Sequence, residues 1–106
     1  MPCFGALEAG GTKMVCAVGS EDGKILERIS LPTRTPENTM PEMLAFFQGK
    51  NLAAIGIGCF GPVDLDRGSP TYGSILSTPK LSWRNFPIVQ RFEQALGIPV
   101  GFDTDV

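Results

Sequence analysis

The sequence predicts one α/β unit with the element order β-β-β-α-β-α-β and a mixed sheet. Three observations carry that reading. Short apolar runs at Phe4 to Glu8 and Met14 to Val18, followed by an alternating segment from Lys24 to Leu31, form an antiparallel meander. Two later segments place apolar residues at helical spacing, with Met40, Met43, Leu44 and Phe47 in the first and Ile88, Phe92 and Leu96 in the second. Each leads into a further short run, Leu52 to Gly58 and Ile98 to Phe102, and right-handed crossovers then set the fourth and fifth strands parallel to the first.

The first two strands are joined through Glu8-Ala9-Gly10-Gly11-Thr12-Lys13. Adjacent glycines can take the positive φ of a tight turn and let a ligand approach the backbone with no Cβ in the way. Successive N–H groups in such a turn can converge on one anion, beside the Thr12 hydroxyl and the Lys13 charge. Glu8 is close enough to reach a metal ion that phosphates carry, directly or through water. Taken alone, the stretch reads equally as a hairpin with a polar turn and as an anion cradle.

Ser20-Glu21-Asp22-Gly23 is a second hairpin signal. In the third strand Ile25, Glu27, Ile29 and Leu31 share one side, but the charge of Glu27 within that series and Leu26 on the other side place the strand toward an edge. Pro32 to Asn38 is a connection. The first helix has two candidate starts: a capping box at Thr39-Met40-Pro41-Glu42, or Thr35 with Pro36 as first helical residue. Gly49 is its stop. Leu52 to Gly58 is almost wholly apolar, as expected of a central strand covered on both faces. From Leu65 to Ser82 the chain is rich in Gly, Ser, Thr and Pro, a length of irregular structure that suits a substrate loop. The second helix is expected over Asn85 to Leu96, with Pro87 near its start and Gly97 ending it.

At 106 residues the chain can bury one modest core. Its net charge of −2 comes without any Lys/Arg cluster, so neither nucleic acid nor a membrane surface is an expected partner. Cys3, Cys16 and Cys59 are odd in number and contain no C-x-x-C pair, which argues against a disulfide framework or a zinc site and for reduced thiols in a cytoplasmic protein. No charged n-region with an apolar h-region opens the chain. Histidine is absent, so acid–base chemistry must rest on carboxylates.

In sheets of this kind ligands gather at the carboxyl ends of the parallel strands. Glu8, Gly58 to Asp64 and Asp103 to Asp105 all fall there. Two familiar phosphate motifs fail on physical grounds. A P-loop needs Gly-Lys-Ser/Thr running into a helix, whereas Thr12 precedes Lys13 and a strand follows. Gly56-x-Gly58-x-x-Gly61 has dinucleotide spacing, yet Pro62 and Asp64 continue into a loop. Asp103 and Asp105 are candidates for a general base, while Asp64 and Asp66 read as turn-capping carboxylates.

Glu8 to Lys13, Gly56-Ile57-Gly58-Cys59-Phe60-Gly61-Pro62-Val63-Asp64, Thr78-Pro79-Lys80-Leu81-Ser82-Trp83 and Asp103-Thr104-Asp105 together resemble the N-terminal part of ROK-family sugar kinases, and most closely their fructokinase branch. The resemblance covers the whole chain, with four motifs in order and register. It implies the RNase-H-like lobe of the actin/hexokinase-like ATPase fold, incomplete here, with residues 1–106 as the N-terminal lobe, cut after the catalytic-base loop, and a C-terminal lobe absent. It implies ATP-dependent phosphorylation of a hexose, with Gly10, Gly11, Thr12 and Lys13 on the phosphates of ATP. Glu8 stands where most relatives have an aspartate near Mg2+, and Asp105 matches the catalytic base. Gly61, Pro62, Thr71, Gly73, Pro79, Lys80 and Thr104 are the implied sugar-side residues. Thr104 and Lys80 both replace asparagines common in the family, departures that fit fructose. A homodimer is implied for the whole protein. So is a structural Zn2+ site, whose ligands this chain lacks. The 106 residues alone are expected to be inactive. The alternatives are a sugar-responsive transcription regulator and a sugar-binding domain without kinase activity. The regulators of the family carry a helix-turn-helix segment ahead of this domain, and the first strand begins too early to leave room for one.

Overall fold

The structure is a computed structural model and describes residues 3–78 and 80–104. Its strands are β1 (Cys3–Ala9), β2 (Lys13–Ser20), β3 (Ile25–Pro32), β4 (Leu52–Cys59) and β5 (Val100–Thr104). Helix α1 (Pro36–Phe47) connects β3 to β4, and α2 (Ile88–Leu96) precedes β5. All five strands form one sheet in the order β3-β2-β1-β4-β5. The meander pairs antiparallel, whereas β1 with β4 and β4 with β5 are parallel, so the expected element order and mixed sheet are observed. No helix among the described residues is long and apolar enough to cross a membrane.

Strand alternation builds the core. Leu7 and Ala9, Met14, Cys16 and Val18, and Ile55, Ile57 and Cys59 turn to one face and are buried. Both helices pack on that face, through Met40, Met43 and Phe47 of α1 and Ile88, Val89 and Phe92 of α2. Phe47 and Phe92 meet edge to face with ring centroids 6.2 Å apart, tying the helices to each other. Burial pushes the Cys16 thiol up to about 11, so it stays protonated as a small apolar core residue.

The other face of the sheet carries Ala6, Ala17, Ala54, Gly56, Gly58 and Gly101 in register. A Cβ at Gly56, Gly58 or Gly101 would meet nothing within 4 Å. The expectation that both faces of β4 are covered is therefore corrected: among the described residues both helices lie on one face. The strand reads as uniformly apolar because its second-face positions are small rather than polar, which hides the period of two.

Element ends depart from the sequence reading for local reasons. The third strand does lie at the sheet edge, with Ile25 64% and Leu26 51% exposed. Helix α1 takes the earlier start, with Thr35 at the N-cap and Pro36 as its first residue. Thr39 forms no capping box; its buried hydroxyl oxygen accepts the Arg34 N–H at 2.9 Å. Helix α2 begins at Ile88 and not at Asn85. Asn85 sits at a left-handed φ of 59°, and the Phe86 carbonyl accepts the Ile75 N–H, so these residues belong to the preceding loop. It ends at Gly97, whose φ of 66° closes the helix as expected. Strand β5 is shifted two residues onward because Pro99 has no N–H for the ladder; its carbonyl still accepts the Ile55 N–H at 3.0 Å, where the pairing with β4 begins.

Candidate functional site

Parallel register sets Glu8, Gly58 and Asp103 side by side on three adjacent strands, and Ala9, Cys59 and Thr104 in the next row. These rows are the carboxyl edge of β1, β4 and β5. Glu8 lies exposed at that edge, on the face opposite the helices. Asp103 shares its face; its Oδ1 accepts the Thr104 N–H at 2.8 Å. Phe60 donates its N–H to the Ala9 carbonyl at 2.8 Å, which ties the exit of β4 to the exit of β1. Asp105 and Pro79 lie outside the described residues.

The β1–β2 turn is closed by the Gly10 N–H on the Lys13 carbonyl at 3.0 Å. Neither Gly10 nor Gly11 takes the positive φ expected of a tight turn. The left-handed glycines of the described chain are Gly23, Gly49, Gly73 and Gly97. Gly10 is required by close approach instead, because a Cβ there would stand 2.7 Å from the Lys13 carbonyl oxygen. Among the described residues, the N–H groups of Gly11 and Thr12, the Thr12 hydroxyl and the Lys13 ammonium have no hydrogen-bond or ion-pair partner. Backbone donors, a hydroxyl and a cation on three successive residues are the composition of an anion site.

A strap from the β3–α1 connection fixes this turn against the later loop. Thr33 donates its hydroxyl to the Gly10 carbonyl at 2.8 Å and its N–H to the Thr12 carbonyl at 2.9 Å. The next residue, Arg34, accepts the indole Nε1–H of Trp83 on its carbonyl at 2.6 Å. Trp83 is fully buried, edge to face with Phe60 at 6.2 Å and Phe86 at 5.2 Å. Sequence reasoning missed Thr33 and Arg34, since the contacts they make span 23 and 49 residues. The only local hint was their place in the connection that leaves β3 beside the turn.

The loop after β4 opens with a cis Gly61–Pro62 peptide, and the Pro62 carbonyl accepts the Leu76 N–H at 2.8 Å. Asp64 organises the loop beyond it. Its Oδ2 accepts the hydroxyls of Ser69 and Thr71, each at 2.6 Å, and its Oδ1 accepts the Asp66 N–H at 3.0 Å. The Ser69 bond, then that of Thr71, then the Asp66 amide hold its carboxyl below the ordinary aspartate range. Asp66 in turn accepts the Gly68 N–H at 2.9 Å, so both acids are turn caps, as the sequence indicated. Gly73 is buried at a φ of 83°, with its missing Cβ only 2.6 Å from the Cβ of Val89 on α2. Lys80 is exposed and donates its N–H to the buried Thr78 hydroxyl at 3.3 Å. Its Cε lies 3.6 Å from where a Cβ of Gly11 would be.

No cluster of three or more His, Cys, Asp or Glu is present among the described residues. Glu8, a hard oxygen donor beside the turn, is the residue here that would hold a Mg2+ ion accompanying phosphate.

The ROK family model matches residues 4–106. The chain belongs to the ROK family. A candidate fructokinase of Bacillus subtilis is 54% identical over 103 residues, covering 97% of this chain and 34% of its own length. The fructokinase of Streptococcus mutans is 49% identical over 105 residues, covering 97% of this chain and 36% of its own. A ROK family glucokinase from Streptomyces griseus, solved with glucose and AMPPNP, is similar with a TM-score of 0.77 and 30% identity over 97% of this chain and 33% of that one. The fold is accordingly an incomplete RNase-H-like lobe of the actin/hexokinase-like ATPases, as found in other ROK proteins. The ROK chain described here spans about a third of the length of the relatives it matches.

Proposed function

We propose that the full-length ROK protein transfers the γ-phosphoryl group of ATP to a hydroxyl of a hexose, with fructose as the preferred sugar. Residues 1–106 form its N-terminal lobe in this reading, and the C-terminal lobe supplies the adenosine site and the closure that excludes water. The observation that carries the proposal is the convergence at one sheet edge of Glu8 and Asp103, the uncommitted donors of Gly11, Thr12 and Lys13, and the strand exit that leads to Asp105.

In this reading the turn grips the terminal phosphates through the Gly11 and Thr12 N–H groups, with Gly10 keeping the turn tight and Lys13 supplying charge. Glu8 holds Mg2+ through water; the ion, when bound, neutralises charge on the phosphate oxygens. Asp105 accepts the proton of the sugar hydroxyl. In this reading the sugar is contacted by Gly61, Pro62, Thr71, Pro79 and Thr104, and Gly73 braces the loop after β4 against α2. ATP as donor suits the cytoplasm, and a homodimer fits the reading. Structural zinc, where the full protein has it, draws its ligands from outside these residues.

The test is ADP release by the full-length protein with ATP, Mg2+ and a panel of fructose, mannose and glucose, with the sugar phosphate identified by mass. Fructose is expected to give the highest kcat/KM. ADP release that no hexose raises above the sugar-free rate would sink the reading.

A further inference from the structure

Lys80 stands where the sugar loop meets the phosphate turn, and its surroundings favour the phosphate. Its side chain extends back over Gly11, so that Cε comes within 3.6 Å of the position a Cβ would take there, and the ammonium lies one bond further on. Among the described residues no carboxylate pairs with Lys80, and none pairs with Lys13 across the turn. The turn thus carries one unneutralised cation, Lys13, and has a second, Lys80, reaching toward Gly11.

Both backbone polar groups of Lys80 are hydrogen-bonded. Its N–H bonds the buried Thr78 hydroxyl, and its carbonyl accepts the Trp83 N–H at 2.9 Å. The Trp83 indole is bound to the Arg34 carbonyl, one residue from Thr33, which holds Gly10 and Thr12. The Thr33–Arg34 strap thus sets the distance between the turn and the base of Lys80 through direct hydrogen bonds. A lysine whose backbone is tied to the phosphate turn has its charge within reach of phosphate oxygens there.

We infer that Lys80 binds the phosphoryl group in transit between nucleotide and sugar, and is not a ligand of the sugar ring. The inference rests on the kinase reading above. In the transfer, the bond from the γ-phosphorus to the β,γ-bridging oxygen breaks and ADP leaves with its electron pair. A new bond forms to the hexose hydroxyl oxygen, and the hydroxyl proton passes to the Asp105 carboxylate. Lys80 is unchanged throughout. It neutralises the equatorial oxygens, on which negative charge sits while both bonds are partial.

Lys80→Met keeps the stem and removes the charge, and Lys80→Arg keeps the charge; both are made in the full-length protein, with circular dichroism to verify folding. Lys80→Met is expected to lower kcat by about 10²–10³-fold, with the fructose Kd from calorimetry unchanged within about threefold, and Lys80→Arg to recover part of the loss. Calorimetry with inorganic tripolyphosphate, which needs no turnover, should show affinity weakened about tenfold or more in Lys80→Met. A raised fructose KM with kcat retained would overturn the inference and make Lys80 a sugar ligand. Unchanged tripolyphosphate affinity would overturn it too, whether or not the wild-type protein turns over a hexose. Absence of hexose turnover in the wild type, with tripolyphosphate binding still dependent on Lys80, would instead remove the kinase reading and leave the phosphate contact standing.

Discussion

Replacing Asp105 by asparagine in the full-length protein is expected to lower kcat by about 10²–10⁴-fold, the range that loss of a positioned general base produces. Asparagine preserves size and hydrogen-bonding reach but cannot accept the hydroxyl proton. The remaining machinery of the turn and its cations would still bind ATP, so the loss should fall on kcat, with fructose affinity by calorimetry largely intact. The neighbouring acid provides the control. Asp103 uses its carboxylate to accept the N–H of Thr104, a bond that an amide oxygen can keep. Asp103→Asn should therefore be the milder change. Retention of kcat in Asp105→Asn, or a greater loss in Asp103→Asn, would reassign the base.

The largest effect on stability is expected at Gly73. An alanine there must adopt a left-handed φ of 83° and place its Cβ 2.6 Å from that of Val89, inside the helix that closes the core. Left-handed strain and overpacking together should cost about 2–5 kcal/mol. Gly97 separates the two contributions, since it has a comparable φ of 66° and no atom within 4 Å of where a methyl would stand. Gly97→Ala should cost about 1 kcal/mol, from the backbone alone. Thermal melts of the two variants test this directly. Equal losses of Tm would mean that α2 yields freely and that the loop is not braced against it.

Much of the fold was legible because it follows from local patterns. The meander, the two crossovers and the edge position of β3 come from periodicity and from Glu27 and Leu26 interrupting it. The end of α2 at Gly97 follows from its left-handed φ. Legibility failed where two local signals competed or where a distant partner decided. Thr35 and Thr39 both looked like caps, and the choice fell to Thr35 because the Thr39 hydroxyl is engaged by the Arg34 amide. Among the described residues the second face of β4 is uncovered, and its glycines and alanine make that face read as apolar.

For the candidate site, the residues at the strand ends were visible from the crossover rule, which brings Glu8 and Asp103 into one row without any knowledge of side-chain contacts. The turn was visible too, but its physical reason was not. Gly10 is needed for the 2.7 Å approach of a carbonyl and not for an unusual φ. The strap through Thr33, Arg34 and Trp83 was invisible, because hydrogen bonds between residues so far apart leave no spacing to read.

In the proposed kinase the β1–β2 turn is the phosphate grip of a nucleotide site. Backbone amide resonances of Gly11 and Thr12, followed in the isotopically labelled full-length protein as AMPPNP and Mg2+ are added, test it most directly. Both signals are expected to shift with saturation and to gain protection from hydrogen exchange, since their N–H groups pass from water to phosphate oxygens. Saturating nucleotide that leaves both amides unshifted and unprotected, while perturbing residues elsewhere, would contradict the account.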